Sequence, residues 1–412
     1  MRVCVTGYGV ICPSGADVPT ALDQLWNQRS AIRAVSGPVD HGGERMACGL
    51  CAEDIVPDGL APHLVRGIDR VSLLSLVSAR QALHQAEASG ALQRAEMPLV
   101  WGCGMGGLGT LDQGYHDLLT HHKQRLRPTT VPYAMPSAPA FHVAHHLGVR
   151  GPSSTLTVAC ASSALAIAQG ARLIASGEAS AVLVGGVESM LKPVILRAWQ
   201  MSQTVCDAEE DHPEQSCRPF SSARHGFAMG EGAASLVLES EASARERGAQ
   251  VLGWVRGWGH TTDALHISRP DTAAQAQAMR QALAHAGVRA AEVAYLNAHG
   301  TATPAGDISE AQAILALFGQ DNPGLPVSST KAMHGHLIGA SGALEAIVTL
   351  ASLRAGLLPG NPHSAPLDEQ VGALNVFAAP IRLAPDAPRL GMSNSFAFGG
   401  VNVALVLEGA HD

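Results

Sequence analysis

The sequence predicts an α/β protein built of two similar halves, on three observations. Short apolar runs alternate along the whole chain with longer Ala/Leu-rich stretches, the pattern of strands covered on both faces by helices. Of the 412 residues, 46% are apolar and only 15% charged, against about 25% charged in an ordinary soluble domain. A strand-like run ending in a reactive side chain and followed by a helical pattern occurs once in each half, at Cys160 and at His299.

Taken in order, the short runs at 3–7, 98–102, 154–159, 181–185, 234–238, 292–297, 326–328, 390–395 and 402–407 read as strands. The stretches at 69–87, 136–147, 162–176, 272–286, 309–317 and 342–353 read as helices. No linker rich in Pro, Gly or Ser and no low-complexity block interrupts them. A division near 248–257 gives halves 1–250 and 251–412, which should pack as one body.

The net charge of −8 argues against nucleic acid as a partner, because phosphate backbones are held by positive fields. Disorder is excluded by the apolar content. The low charge predicts an oligomer, with part of the exterior covered by another subunit. The uncharged run 151–171 could span a bilayer by length, but its Gly, Pro, Ser and Thr argue against membrane insertion. No export signal precedes the strand-like 3–5, so the eight cysteines are expected to be free thiols in a cytoplasmic protein. Only Cys48 and Cys51 are closely spaced, and with no second pair they suggest no metal site.

Four segments carry candidate chemistry. In Thr157-Val158-Ala159-Cys160-Ala161-Ser162-Ser163, a strand gives way to a helix at a cysteine. A thiol at a helix N-terminus is expected to ionise more easily, and the same backbone N–H groups can hold an oxyanion. A buried structural cysteine is the competing reading. In Asn297-Ala298-His299-Gly300-Thr301-Ala302-Thr303, a histidine is held at a strand end beside small residues. Lys331-Ala332-Met333-His334-Gly335-His336 places another before a glycine-rich helix start, and Asn394-Ser395-Phe396-Ala397-Phe398-Gly399-Gly400 makes a tight turn between strands. For a single histidine, a surface or core role is the commoner outcome.

Together, in this order and spacing, the four segments resemble the elongating β-ketoacyl-acyl-carrier-protein synthases of fatty acid and type II polyketide pathways. The resemblance runs from about Val3 to Glu408 and includes Gly102-Cys103-Gly104-Met105-Gly106-Gly107 and Gly185-Gly186-Val187-Glu188. It implies the thiolase fold, five layers in α-β-α-β-α order, in a homodimer or a heterodimer with a chain-length factor. It implies Cys160 as the nucleophile, His299 and His336 as the groups that bind the malonyl thioester and promote decarboxylation, and Lys331 paired with Glu345. The backbone N–H groups of Cys160 and Phe398 would form the oxyanion hole, with Phe398 as gate. Thr301 and Thr303 would contact the phosphopantetheine arm, and Met105 would lie at the base of the acyl pocket. Arg66 and Arg70, on one helix, would dock the acyl carrier protein. No metal and no cofactor is implied beyond the phosphopantetheine of the carrier.

Three features depart from the family pattern. Ala397 and Val401 replace a glycine and a threonine in the gate turn, which is expected to alter its motion. His334 replaces a threonine and creates His-Gly-His. Asp207, Glu209, Glu210, Asp211 and Glu214 put an acidic loop where relatives often carry arginine. A thiolase would need a second cysteine beyond Cys217, an initiating synthase an asparagine in place of His336, and a chain-length factor typically lacks the cysteine.

Overall fold

The computed structural model describes residues 1–36, 45–57, 60 and 62–411. Its main sheet has ten strands, numbered here in chain order: β1 (Val3–Ile11), β2 (Leu99–Cys103), β3 (Ser153–Leu156), β4 (Ala181–Glu188), β5 (Gly232–Ser240), β6 (Gly253–Thr262), β7 (Tyr295–Asn297), β8 (Val327–Ser328), β9 (Leu390–Phe396) and β10 (Val401–Gly409). Six helices frame it: α1 (Arg70–Glu87), α2 (Ala138–Leu147), α3 (Ser162–Ala175), α4 (Thr272–Ala286), α5 (Pro304–Phe318) and α6 (Ser341–Ala355).

From the centre outward, one side of the sheet runs β1, β5, β4, β2, β3 and the other β6, β10, β9, β7, β8. The order is the same on both sides, each strand of the first half matching the one five places later. Pairing repeats as well. β1–β5 and β5–β4 are antiparallel while β4–β2 and β2–β3 are parallel, and the same holds for β6–β10, β10–β9, β9–β7 and β7–β8. The two sides join where β1 meets β6 over Val3, Cys4 and Val5.

Helices α3 and α6 pack against each other and touch strands of both sides, α1 covers β1 and β5, and α4 covers β6 and β10. The result is five layers, α-β-α-β-α. Helix α6 is apolar all round and every residue from Ser341 to Leu353 is buried, as a helix between two sheets must be. Together with the 3-10 turn before it, the run Ile338–Ala355 is long and apolar enough to cross a membrane, yet 89% of it is buried inside the protein. The uncharged run 151–171 divides into β3, a turn and most of α3.

Three elements differ from expectation. The strand expected at 154–159 ends at Leu156, because Ala159 takes a left-handed φ of +47° in the turn that carries Cys160. The strand expected at 292–297 keeps only Tyr295–Asn297, residues 290–292 forming a 3-10 turn. Helix α5 starts at Pro304 and not at 309, since a proline is well tolerated in the first turn, where its missing N–H costs no bond.

Candidate active site

Cys160 sits in a one-turn 3-10 segment, Ala159–Ala161, directly ahead of α3. The helix start can approach β2 because position 102 is glycine: a Cβ there would lie 2.4 Å from the Ser163 nitrogen. His336 reaches the same point from the other half, one residue into the loop between Gly335 and α6. Its Nε2 lies 3.0 Å from the Cys160 sulfur. The His299 ring stands edge-on to the His336 ring at 5.3 Å. One ligating atom from each of Cys160, His299 and His336 falls within 4.8 Å of the others.

The three side chains are held from outside. Glu310, on α5, accepts the backbone N–H groups of His299 (2.8 Å) and Gly300 (2.7 Å) and is itself fixed by Asn394 Nδ2 at 3.1 Å. His336 Nδ1 meets Ser341 Oγ at 2.9 Å. Glu188, fully buried at the end of β4, accepts from the backbone nitrogens of Gly104 (2.9 Å), Met105 (3.2 Å) and Gly339 (3.3 Å). None of Glu310, Ser341 and Glu188 was singled out from the sequence as a site residue. For Glu310 a signal exists: a carboxylate eleven residues after His299, on the helix that follows it.

Lys331 and Glu345 form a fully buried ion pair between the segment 331–334 and α6. Burial pushes Glu345 up to about 7 in spite of the nearby ammonium. Burial, and then the Lys331 charge, drive His299 and His336 well below the usual imidazole value. The neutral imidazole is therefore the favoured form at His336, with burial first and the Lys331 charge second as the cause.

The thiol runs against expectation. Cys160 is pushed up to about 12, by burial first, with the backbone N–H of Phe398, the Lys331 charge and its own N–H pulling the other way. Desolvation outweighs the helix terminus, so the resting sulfur keeps its proton. The Phe398 and Cys160 backbone N–H groups both favour the ionised sulfur.

A cavity of about 270 Å³ opens on this group and is lined by Cys160, His299, His336, Thr301, Thr303 and Phe398, among others. The Thr301 and Thr303 hydroxyls are 2.9 Å apart. Phe398 is half-buried and its ring lies 5.8 Å from that of Trp199.

Other candidates lie elsewhere. Met105 does not line this cavity; its side chain is 42% exposed on the single chain. Arg66 is exposed in the turn before α1 and is not on that helix. Arg70, the first residue of α1, is not free for a partner: its Nε and Nη2 hold both oxygens of buried Glu231 at 2.8 and 2.6 Å. His334 is buried with both ring nitrogens engaged, by Gly335 O (2.6 Å) and Thr330 Oγ1 (3.0 Å), and burial takes it down to about 3. In the acidic loop Glu209 pairs with Arg218 and Glu214 with His212, which leaves part of the negative charge outward.

A buried thiol facing an imidazole, a second imidazole beside it and a five-layered doubled fold define a thiolase-fold condensing enzyme. The chain belongs to the β-ketoacyl synthase family, matching the beta-ketoacyl synthase N-terminal domain over residues 1–244 and the C-terminal domain over 252–365. It is 33% identical over 411 residues to 3-oxoacyl-[acyl-carrier-protein] synthase 2 of Staphylococcus aureus (strain MRSA252), covering 99% of this chain and 98% of that one. It is 35% identical over 416 residues to Nodulation protein E of Rhizobium meliloti (strain 1021), covering 99% of each. Among solved structures, a beta-ketoacyl synthase from Burkholderia phymatum STM815 superposes with a TM-score of 0.90 at 29% identity over the whole of both chains. A ketosynthase in complex with its chain length factor from Xenorhabdus doucetiae gives 0.86 at 27% identity, over 99% of this chain and 98% of that one.

Proposed function

We propose that the protein lengthens an acyl chain held on Cys160 by two carbons, using malonyl-acyl-carrier-protein, within a specialised polyketide or polyene pathway. The observation that carries the chemistry is the 3.0 Å contact between Cys160 Sγ and His336 Nε2. The imidazole takes the thiol proton as sulfur attacks the thioester carbonyl, and the carrier's thiol leaves with a proton. A malonyl thioester then enters. His299 and His336, both neutral, present N–H donors to its carbonyl oxygen as carbon dioxide departs. The resulting carbanion attacks the acyl-Cys160 carbonyl, whose oxygen is received by the Cys160 and Phe398 amides; the C–S bond then breaks, the β-ketoacyl carrier protein leaves, and the Cys160 thiolate takes back a proton from water. Burial and then the Lys331 charge keep both imidazoles neutral, and Glu345 balances that charge.

The two halves, 1–250 and 251–412, contribute the nucleophile and the histidines respectively. Thr301 and Thr303 receive the phosphopantetheine arm, and the reaction draws on no other cofactor. Acting in the cytoplasm, the protein takes its substrates from an acyl carrier protein docked near Arg66. Exposed Leu111, Tyr115, Leu119 and Val194 surround one apolar groove close in sequence to Met105. Cover by a second subunit, its own copy or a chain-length factor, would close the acyl pocket over Met105. The altered gate residues Ala397 and Val401 favour the specialised pathway over housekeeping elongation. A chain-length-factor role without catalysis is opposed by the intact Cys160, His299 and His336.

The test is reconstitution with a panel of acyl carrier proteins and malonyl carrier protein, products read by intact mass, with Cys160→Ala as control. Acyl-Cys160 should form with long or unsaturated chains and vanish in the variant. Acylation absent from the wild type, or surviving in the variant, refutes the chemistry; a preference for short saturated chains refutes the pathway.

A further inference from the structure

Ser341 lies outside every role assigned above, yet its hydroxyl touches the catalytic imidazole directly. Ser341 Oγ is 2.9 Å from His336 Nδ1 and also accepts the Leu337 backbone N–H at 3.0 Å. The side chain is fully buried at the first residue of α6. A hydroxyl has one proton and two acceptor positions. With one acceptor position filled by Leu337, it can still either accept from an Nδ1–H or donate to a bare Nδ1. A backbone N–H in the same place could only donate and would permit a single tautomer.

The two half-reactions proposed above ask opposite things of His336. To receive the thiol proton, Nε2 must face Cys160 as a lone pair, so the ring proton sits on Nδ1. To stabilise the malonyl carbonyl oxygen, Nε2 must carry the proton, leaving Nδ1 bare. The geometry points to Ser341 as a positioning residue that supports both tautomers of His336, accepting from Nδ1 in the acylation step and donating to Nδ1 in the condensation step. Proton balance is kept. During acylation Nε2 takes the thiol proton and passes it to the departing carrier thiolate, which restores the Nδ1–H form. While the cavity is open between carriers, water gives a proton to Nε2 as the Nδ1 proton is lost to water, and the Ser341 hydroxyl rotates; after condensation the Cys160 thiolate takes a proton from water and the reverse exchange restores the Nδ1–H form. The charged and titratable groups around the ring, Lys331, His299, His334 and Cys160, do not touch Nδ1.

This inference rests on the proposed condensation, but its first readout does not. Nitrogen-15 NMR of histidine-labelled protein, with His336 assigned by its loss in His336→Asn, reports the tautomer without substrate. The resting enzyme should be Nδ1–H and the acyl-Cys160 enzyme Nε2–H. Ser341→Ala should show one tautomer in both states and slow at least one half-reaction by about tenfold, the effect of losing a single buried hydrogen bond. Ser341→Thr, which keeps the hydroxyl, should restore the switch and most of the rate, which a purely structural role for the small side chain would not predict. The same tautomer before and after acylation of the wild type, or Ser341→Ala rates within twofold in both half-reactions, overturns the inference. Absence of any acylation would instead overturn the condensation.

Discussion

Arg70 grips both carboxylate oxygens of Glu231, a residue 161 positions away and almost wholly buried. The same guanidinium also donates to the carbonyls of Cys51, Ala52 and Glu53, so it ties the start of α1 to the loop before it. Its charge is spent inside the protein, and Arg66 is left as the exposed cation of the pair.

The two arginines therefore separate in experiment. Arg66→Glu should weaken acyl carrier protein binding with little change in melting temperature. Arg70→Glu should leave Glu231 unpaired and facing a like charge, at a cost of about 3 kcal/mol or more. Binding by titration calorimetry and thermal melting of both variants would decide it; equal binding loss with equal melting would show that both dock the carrier.

Alkaline pH should destabilise the protein more steeply than a chain with exposed thiols. Cys4, Cys12, Cys48, Cys160 and Cys217 are all held up to about 12 by burial, against an ordinary 9. A raised folded-state value means that the native thiol keeps its proton while the unfolded one loses it. That stabilisation is complete below pH 9 and is lost as pH rises from 9 towards 12. Each thiol then contributes a slope of about −1.4 kcal/mol per pH unit. Urea midpoints measured from pH 8 to 10.5 should fall progressively, and replacing Cys12 by alanine should flatten the fall by one thiol's share.

Much of this was legible from the chain because strand and helix periods, punctuated by glycine and proline, survive in any tertiary setting. Cys160, His299 and His336 stood out by the segments that hold them, and the structure does bring their side chains together. What failed depended on partners distant in sequence. The Cys160 proton is held by burial that only the packing of both halves creates, and Arg70 is claimed by Glu231 from β5's approach. Ser341 escaped notice because serine at a helix start reads as an ordinary cap, and its contact with His336 is a matter of side-chain direction. Met105 is exposed on the single chain, so its placement in a pocket depends on a surface the sequence does not contain.

Lys331 should matter to stability and chemistry in different ways. Lys331→Ala leaves Glu345 buried without its counter-ion, an effect of about 3–5 kcal/mol unless the carboxyl takes up a proton. Glu345 already sits near 7, so lowering the pH to 6 should recover part of the loss. The paired change Lys331→Met with Glu345→Gln should restore melting temperature while raising the basicity of His299 and His336, because the depressing charge is gone. Malonyl decarboxylation by the double variant should then begin to fall at a higher pH than in the wild type as the solution is acidified, because imidazolium forms more readily without the Lys331 charge. A pH-independent rate equal to wild type would show that the lysine acts only in folding.

The gate turn makes the last prediction. Ala397 does not carry a left-handed backbone; Gly399 and Gly400 do, at φ of +88° and +79°. Alanine at 397 therefore costs the closed turn nothing, and the turn is closed by Ala397 N–H to Val401 O at 2.8 Å and Gly400 N–H to Ala397 O at 2.9 Å. The outer wall is a second loop, with Gly399 N–H on Ile267 O at 3.0 Å and Asp263 N–H on Gly400 O at 2.8 Å. Ala397→Gly should leave the closed form intact but give the open one more backbone freedom, about 0.5–1 kcal/mol. Acyl transfer into Cys160 should then be a few-fold faster, with no change in the condensation step. Gly400→Ala should do the reverse of a mild change, since its Cβ would lie 2.8 Å from the Asp263 Cβ at a φ that alanine rarely adopts. That variant should push Phe398 away from its closed position and weaken the oxyanion hole, lowering acylation by more than tenfold. Single-turnover acylation and condensation measured separately would test both, and a Gly400→Ala enzyme acylated at the wild-type rate would show that the gate and the second loop move independently.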